Sequence, residues 1–168
     1  MKALTRYCSD KGEFGGYHYI DMPVPECGPD DVVIRVKAAA ICGADMKHWY
    51  ADLDGSNNSD ELNSIRGHEF SGVIVKLGEN VGGWKVGQRV VSDNSGRACG
   101  TCPACEKGDF MLCEHKTGLG LDNNYKAFGG TGGFTKYAKI PGGILKLHPH
   151  AIWEIPAGVK YEEAAVLD

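Results

Sequence analysis

The sequence predicts a mainly β domain, rich in turns and antiparallel strands, with short helices. Glycine accounts for 24 of the 168 residues, about twice its usual share of ~7%. The glycines separate short runs rich in β-branched residues, which lie at 32–41, 72–78, 87–92 and 134–140. Short apolar runs bounded by turn residues are typical of β-strands. No long amphipathic helical pattern interrupts residues 1–155.

Short helices are expected at three places along the chain. One begins at residues 43–45, a second follows Cys102, and a third occupies the strong helix formers at 162–165. The segment 51–64 is rich in Asn, Ser and Asp and predicts an exposed loop.

Composition and charge exclude several classes of function. The net charge is −4, with acidic and basic residues interleaved, so there is no electrostatic case for a nucleic-acid or membrane-surface partner. No stretch approaches the ~18 apolar residues that a membrane helix needs, and the first residues lack the apolar core of a signal peptide. We therefore expect a soluble, cytoplasmic protein with reduced cysteines.

Four of the seven cysteines lie within residues 99–113, in the spacing C-x₂-C-x₂-C-x₇-C. Clustered cysteines in a reducing compartment are more often metal ligands than disulfides, and four thiolates suit a closed, tetrahedral structural zinc site. The predicted ligands are Cys99, Cys102, Cys105 and Cys113. An iron–sulfur cluster is the alternative, because bacterial ferredoxins begin with the same spacing. There the fourth cysteine follows after three residues, whereas here seven intervene.

A second group of candidate ligands lies upstream, at Cys42, His68 and Glu69. One thiol, one imidazole and one carboxylate form a mixed set of ligands. Such a set suits a catalytic zinc ion, which keeps a coordination position open. The residues alone leave another interpretation open. A single cysteine after a strand is often a small core residue, and Gly-His-Glu is often a turn.

Several motifs in order along the chain resemble zinc-dependent medium-chain alcohol dehydrogenases. The signature GHE-x-x-G occupies 67–72 and is followed by Gly78 and Val81. Further matching segments are CGAD at 42–45, WKVGQRVV at 84–91, GGFTKYAKIP at 132–141 and IPAGVKYEEAAVLD at 155–168. In detail the chain is similar to the sorbitol, threonine and polyol dehydrogenase branch.

The resemblance implies a GroES-like β-barrel over residues 1–155, with a four-cysteine zinc lobe at about 94–117. Residues 156–168 would begin the connection to a Rossmann cofactor domain. That domain would show a strand leading into G-x-G-x-x-G and a helix, and this pattern is absent from the sequence. We therefore expect the activity to belong to a longer parent enzyme that uses NAD or NADP, with the 168-residue chain inactive alone.

The resemblance also assigns roles to residues. Cys42 and His68 would bind a catalytic zinc, Glu69 would lie beside it, and Asp168 would be the fourth ligand. Asp45 would accept a hydrogen bond from His68 and fix its tautomer. The zinc would polarise the hydroxyl of an alcohol, polyol or hydroxy amino acid for hydride transfer to nicotinamide. The parent is expected to be a homo-oligomer.

One position departs from the family pattern. Relatives carry Ser or Thr where this chain has Ala44, and that hydroxyl would pass the substrate proton outward. Alanine has no donor or acceptor with which to do so. His48 lies four residues further on and would share a helical face with Ala44. Histidine ordinarily titrates near ~6.5 and suits a proton relay. Ordered water or a second substrate hydroxyl are the alternatives.

Other polar and aromatic residues carry weaker expectations. Trp49 and Tyr50 either line the substrate cleft or pack in the core. Surface or packing roles are expected for Cys8, Cys27, His18, His115, His148 and His150. A non-catalytic, zinc-binding GroES-like interaction module remains an alternative function, and it would need no second, open zinc site.

Overall fold

The computed structural model describes residues 1–8, 14–53, 65–94, 98–116, 132–147 and 150–167. Its strands are β1 (Lys2–Cys8), β2 (Phe14–Asp21), β3 (Val32–Ala39), β4 (Phe70–Leu77), β5 (Arg89–Ser92), β6 (Tyr137–Ile140) and β7 (Ile152–Glu154). Its α-helices are α1 (Gly43–Leu53), α2 (Pro103–Glu106), α3 (Gly142–Leu147) and α4 (Tyr161–Ala164). A 3₁₀ helix spans Phe110–Leu112.

Two antiparallel sheets organise the described residues. Five strands pair in the order β6-β3-β4-β5-β7, and β1 pairs with β2 in a separate two-stranded sheet. Two single bridges, Ala3 with Thr135 and Thr5 with Ile65, connect β1 to the segments that precede β6 and β4. In the strand order of the larger sheet, β4 is the central strand.

The main core is built from one face of the five-stranded sheet. Val32 and Ile34 of β3, Ile74 of β4 and Val90 of β5 are fully buried. Residues two apart on a strand point to the same face, so the alternating apolar residues of β3 meet those of its neighbours. The core also takes in Ile144 of α3. Burial of these side chains provides the main free-energy gain of folding.

The four predicted strand runs are confirmed as β3, β4, β5 and β6, with ends shifted by a few residues. The helix that begins at residue 43 is eleven residues long, longer than the sequence suggested. Strands β1, β2 and β7 and helix α3 were not predicted. Most of the predicted loop at 51–64 falls outside the described residues. No helix in the described part of the chain is long and apolar enough to span a membrane.

Gly72 in β4 lies where two neighbouring strands leave no room for a side chain. It pairs with Val36 of β3 on one side and with Val90 of β5 on the other. A Cβ atom at this position would lie 2.3 Å from the carbonyl oxygen of Arg35. Because that oxygen belongs to the backbone of the paired strand, a side chain at residue 72 would force β3 and β4 apart.

We expect Gly72→Ala to lower the free energy of unfolding by about 2–3 kcal/mol, as overpacking of a core does. Urea denaturation would measure the change. Gly82→Ala is the matched control, because a Cβ atom there has no heavy atom within 4 Å, and its effect should stay within about 0.5 kcal/mol. Equal stability of the two variants would contradict the close approach of β3 and β4.

Candidate metal centres and active site

Four thiols converge in the segment that surrounds α2 and the 3₁₀ helix. The sulfur atoms of Cys99, Cys102, Cys105 and Cys113 all lie within 4.8 Å of one another. The Cys99 and Cys105 sulfurs are 4.0 Å apart. A tetrahedral ion with metal–sulfur bonds of about 2.3 Å would hold its sulfurs about 3.8 Å apart. The spacing therefore fits one tetrahedral ion.

Backbone N–H groups surround these sulfurs. The N–H groups of Thr101 and Cys102 donate to the Cys99 sulfur at 3.5 and 3.3 Å. Those of Cys99 and His115 donate to the Cys113 sulfur, both at 3.3 Å. Hydrogen bonds from N–H donors favour the thiolate over the thiol. The loop thus favours negative charge on its sulfurs.

Burial disfavours a negative charge on the cysteine sulfurs. The N–H of Thr101 lowers the pKa of Cys99 to about 6, whereas burial raises the pKa of Cys105 to about 12. A protein loop of this size cannot hold four adjacent thiolates without a compensating cation. Backbone N–H donors lower the pKa of both Cys99 and Cys102, and a cluster of four converging sulfurs, two of which favour the thiolate in this way, fits a soft-ligand cation such as zinc.

A second, mixed group of ligands forms where β3 ends and β4 begins. The sulfur of Cys42, a ring nitrogen of His68 and a carboxylate oxygen of Glu69 lie within 4.8 Å of one another. Cys42 stands between β3 and α1, and His68 and Glu69 directly precede β4. The N–H of Ala40 donates to the Glu69 carbonyl oxygen (2.9 Å) and fixes the two segments side by side.

Gly67 lets the chain turn before the buried histidine. Its φ of +89° lies in the left-handed region that favours glycine. A Cβ atom at residue 67 would also lie 2.7 Å from the ring of Phe134. The first glycine of the GHE signature is therefore required by both the turn and the packing that hold His68 in place.

Opposing interactions act on the Cys42 thiol. The N–H of Ala44 donates to its sulfur at 3.4 Å and lowers the pKa. Burial, together with the hydrogen bond and negative charge of Glu69, outweighs that contact, so that the pKa of Cys42 is raised overall. His68 is buried, whereas Cys42 and Glu69 are partly exposed. This second group is open to solvent on one side, unlike a closed structural site.

Helix α1 carries three further residues expected near the mixed group, namely Asp45, His48 and Trp49. Asp45 accepts a hydrogen bond from the N–H of Cys42 (3.0 Å) at the first turn of α1, rather than from His68 as the resemblance implied. His48 lies on α1, one turn beyond Ala44, as the relay hypothesis requires. Trp49 stacks on Tyr17 of β2 with ring centroids 5.0 Å apart. Trp49 therefore contacts the two-stranded sheet, but both Trp49 and Tyr50 are exposed, so that neither packs in the core.

Sequence reasoning missed Ser92, the last residue of β5. Its hydroxyl is buried and lies 2.6 Å from the carbonyl oxygen of His68. The sequence carried no signal for this residue, because the burial of its hydroxyl and the partner that such a hydroxyl needs are seen only in the structure.

The remaining cysteines and histidines have packing or surface roles where they are described. The Cys27 thiol donates to the Asp31 carbonyl oxygen at 3.4 Å. His150 stacks on Trp153 with centroids 4.6 Å apart. His18 hydrogen-bonds to the carbonyl oxygen of Gly15, and His115 is exposed. The side chain of Cys8, and His148 and Asp168 altogether, lie outside the described residues.

Comparison with known proteins agrees with this architecture. Residues 28–149 match the family model of the alcohol dehydrogenase GroES-like domain. The chain is 64% identical over all its 168 residues to the uncharacterized zinc-type alcohol dehydrogenase-like protein YdjL of Escherichia coli K12. It is 35% identical over the same 168 residues to an L-threonine 3-dehydrogenase of a Marinomonas strain. The chain spans 44% and 43% of the lengths of these two relatives.

A solved structure shows the same fold. The putative zinc-binding dehydrogenase of Sinorhizobium meliloti, bound to NADP, superposes with a TM-score of 0.74 at 29% identity. The match covers 98% of this chain and 41% of that one. The mainly β fold expected from the sequence is thereby confirmed, and the chain belongs to the alcohol dehydrogenase GroES-like domain family.

Proposed function

We propose that this chain is the catalytic domain of a zinc-dependent NAD(P) dehydrogenase acting on an alcohol, a polyol or a hydroxy amino acid. The observation that carries the proposal is the mixed cluster of Cys42, His68 and Glu69, brought together within 4.8 Å on a GroES-like scaffold. A domain that served only as an interaction module would not need a second metal site that combines a thiol, an imidazole and a carboxylate and is open to solvent.

The two clusters have different roles in this proposal. The four cysteines between 99 and 113 hold a structural zinc ion, supported by the close spacing of their sulfurs. Cys42, His68 and Glu69 hold a second ion, with Asp168 as the proposed fourth ligand. When bound there, zinc supplies polarisation of the substrate hydroxyl.

The chain's own residues bind and orient the reacting groups. His68 is held rigidly by its buried position, and Glu69 is partly exposed and near enough to Cys42 to exchange with an incoming ligand. We propose Asp45 as a positioning residue, supported by its hydrogen bond to the N–H of Cys42. The overall reaction moves a hydride to the nicotinamide and releases a proton, for which His48 is the proposed carrier.

The nicotinamide site would belong to a Rossmann domain in the longer parent. The relatives' lengths support this, because the chain spans 44% of one of them and 43% of another. Within these 168 residues no motif of the Rossmann type is found. Residues 156–168 would then begin the connection to that domain.

Metal counting tests the proposed centres. We expect the 168-residue chain to retain one zinc ion through mild chelation and to bind a second that mild chelation removes, because the mixed site is open on one side. Cys42→Ser should abolish the second ion and leave the first. Plasma emission spectrometry would give the stoichiometry.

Cys27→Ser is the matched control, since Cys27 is a partly exposed cysteine outside both clusters. It should leave both ions bound. Strong chelation should expose residues 98–116 to proteolysis, because zinc binding and folding are coupled in such lobes. Iron with a visible charge-transfer band would contradict structural zinc, and a single ion in wild type would favour an interaction module.

The 168-residue chain should give no turnover by itself. With NAD or NADP and sorbitol, threonine or simple alcohols, we expect no rise in absorbance of reduced nicotinamide at any protein concentration. The reason is that this chain would supply the metal ligands, whereas its sequence carries no Rossmann motif for the dinucleotide. Measurable reduction by the isolated chain would refute the two-domain proposal, whereas the full-length parent should reduce the cofactor with at least one of these substrates.

In the full-length parent, His48→Ala should lower kcat/KM about 10²-fold, the lower end of the range for general acid–base catalysis. Adding Ala44→Ser should restore part of the loss, because a hydroxyl one turn earlier on α1 can carry the proton. The pH profile of kcat/KM would measure both effects. An unchanged profile for His48→Ala would assign the proton to water or to a substrate hydroxyl.

A further inference from the structure

Ser92 ends β5 with a buried hydroxyl between two backbone segments. β5 has the sequence RVVS, and its last three residues are buried. Ser92 itself is 3% exposed. An apolar side chain at this position would add to the core without the cost of burying a hydroxyl. The serine is therefore explained by the hydrogen bonds that it makes.

The hydroxyl of Ser92 connects the two residues that flank Glu69. It lies 2.6 Å from the carbonyl oxygen of His68 and accepts a hydrogen bond from the N–H of Phe70 at 3.0 Å. The carbonyl oxygen of Phe70 is also 3.0 Å away. A hydroxyl has one proton to donate, and the shorter contact assigns it to His68.

The backbone at this point has little other support from β5. The ladder between β4 and β5 runs from Ser71 to Val73, so that His68 and Glu69 precede it. Within the described residues, Ser92 is the donor to the carbonyl oxygen of His68. On the other side, the N–H of Ala40 donates to the carbonyl oxygen of Glu69 (2.9 Å). The segment is thus held from both neighbouring strands.

We propose that Ser92 is a positioning residue for the mixed metal centre. By holding the His68 carbonyl oxygen and the Phe70 N–H, it fixes the backbone orientation from which the imidazole reaches Cys42 and Glu69. His68 is 6% exposed. Removal of the Ser92 hydroxyl would leave the carbonyl oxygen of His68 without its hydrogen-bond donor, which is costly for a buried polar group. We therefore expect the backbone at His68 to rotate in that variant. This inference rests on the proposed function, because it assumes that Cys42, His68 and Glu69 bind metal.

Titration with Co²⁺ tests the inference without any activity measurement. The metal-free 168-residue chain is titrated while thiolate–cobalt charge-transfer absorption is followed, and Cys42→Ser identifies the binding event of the mixed centre. Ser92→Ala should weaken that event about 10-fold or more, as loss of a residue supporting a metal ligand does. Binding at the four cysteines should be unchanged, which makes it an internal reference.

Val90→Ala is the matched control for a general loss of stability. Val90 lies on the same face of β5, two residues from Ser92, and is fully buried. It should lower the unfolding midpoint in urea while leaving the cobalt affinity of the mixed centre unchanged. Ser92→Thr, which keeps the hydroxyl, should restore affinity. Equal weakening in Val90→Ala and Ser92→Ala would overturn the positioning role.

The outcomes separate this inference from the proposal on which it depends. A second binding event that is present in wild type, lost in Cys42→Ser and unchanged in Ser92→Ala would overturn the role of Ser92 alone. Absence of that event in wild type would overturn both the mixed metal centre and the role of Ser92. The comparison of Ser92→Ala with Val90→Ala decides the matter even where Ser92→Thr does not fold.

Discussion

The antiparallel pairing of β3 with β4 is the constraint on which the candidate active site depends. The ladder joins Val32 to Leu77 at one end and Ala39 to Phe70 at the other. Because paired strands run in opposite directions, the residues that follow β3 and those that precede β4 must meet at the same edge. Cys42 and the Gly-His-Glu segment are therefore neighbours, although 25 or more residues separate them in sequence. The close approach at Gly72 keeps this pairing tight.

The four-cysteine cluster depends on a different kind of contact. Its ligands come from one short stretch, and its support comes from N–H groups of the same loop, such as those of Thr101 and Cys102. No strand of the described residues supplies a ligand to it. Local spacing was enough to predict this cluster from sequence, because C-x₂-C places two sulfurs on one bend. The mixed cluster needed a family resemblance, since its residues come together only through strand pairing.

The same distinction between local and long-range contacts explains which elements could not be predicted from the sequence. Strands β3 to β6 were predicted because their apolar runs are bounded by turn residues, whereas β1 and β2 contain several charged and aromatic residues and show no clean alternation. Strand β7 has three residues, too few for a periodic signal. Ser92 could not be selected either, because its role depends on a carbonyl oxygen 24 residues away in sequence.

The two clusters should therefore respond differently when metal is lost. In the four-cysteine lobe the buried side chains are mainly the cysteines themselves, with Ala98 as the other buried member, so that the proposed ion would take the place of much of a hydrophobic core. The mixed centre is formed by a sheet whose core of Val32, Ile34, Phe70 and Ile74 needs no ion. Its ligands are held near one another by hydrogen bonds to their backbone, including those donated by the Ser92 hydroxyl and by the N–H of Ala40. In the proposed assignment, metal at the first centre would contribute to folding, whereas the ligands of the second are brought together by the fold itself, so that an ion bound there would be available for chemistry.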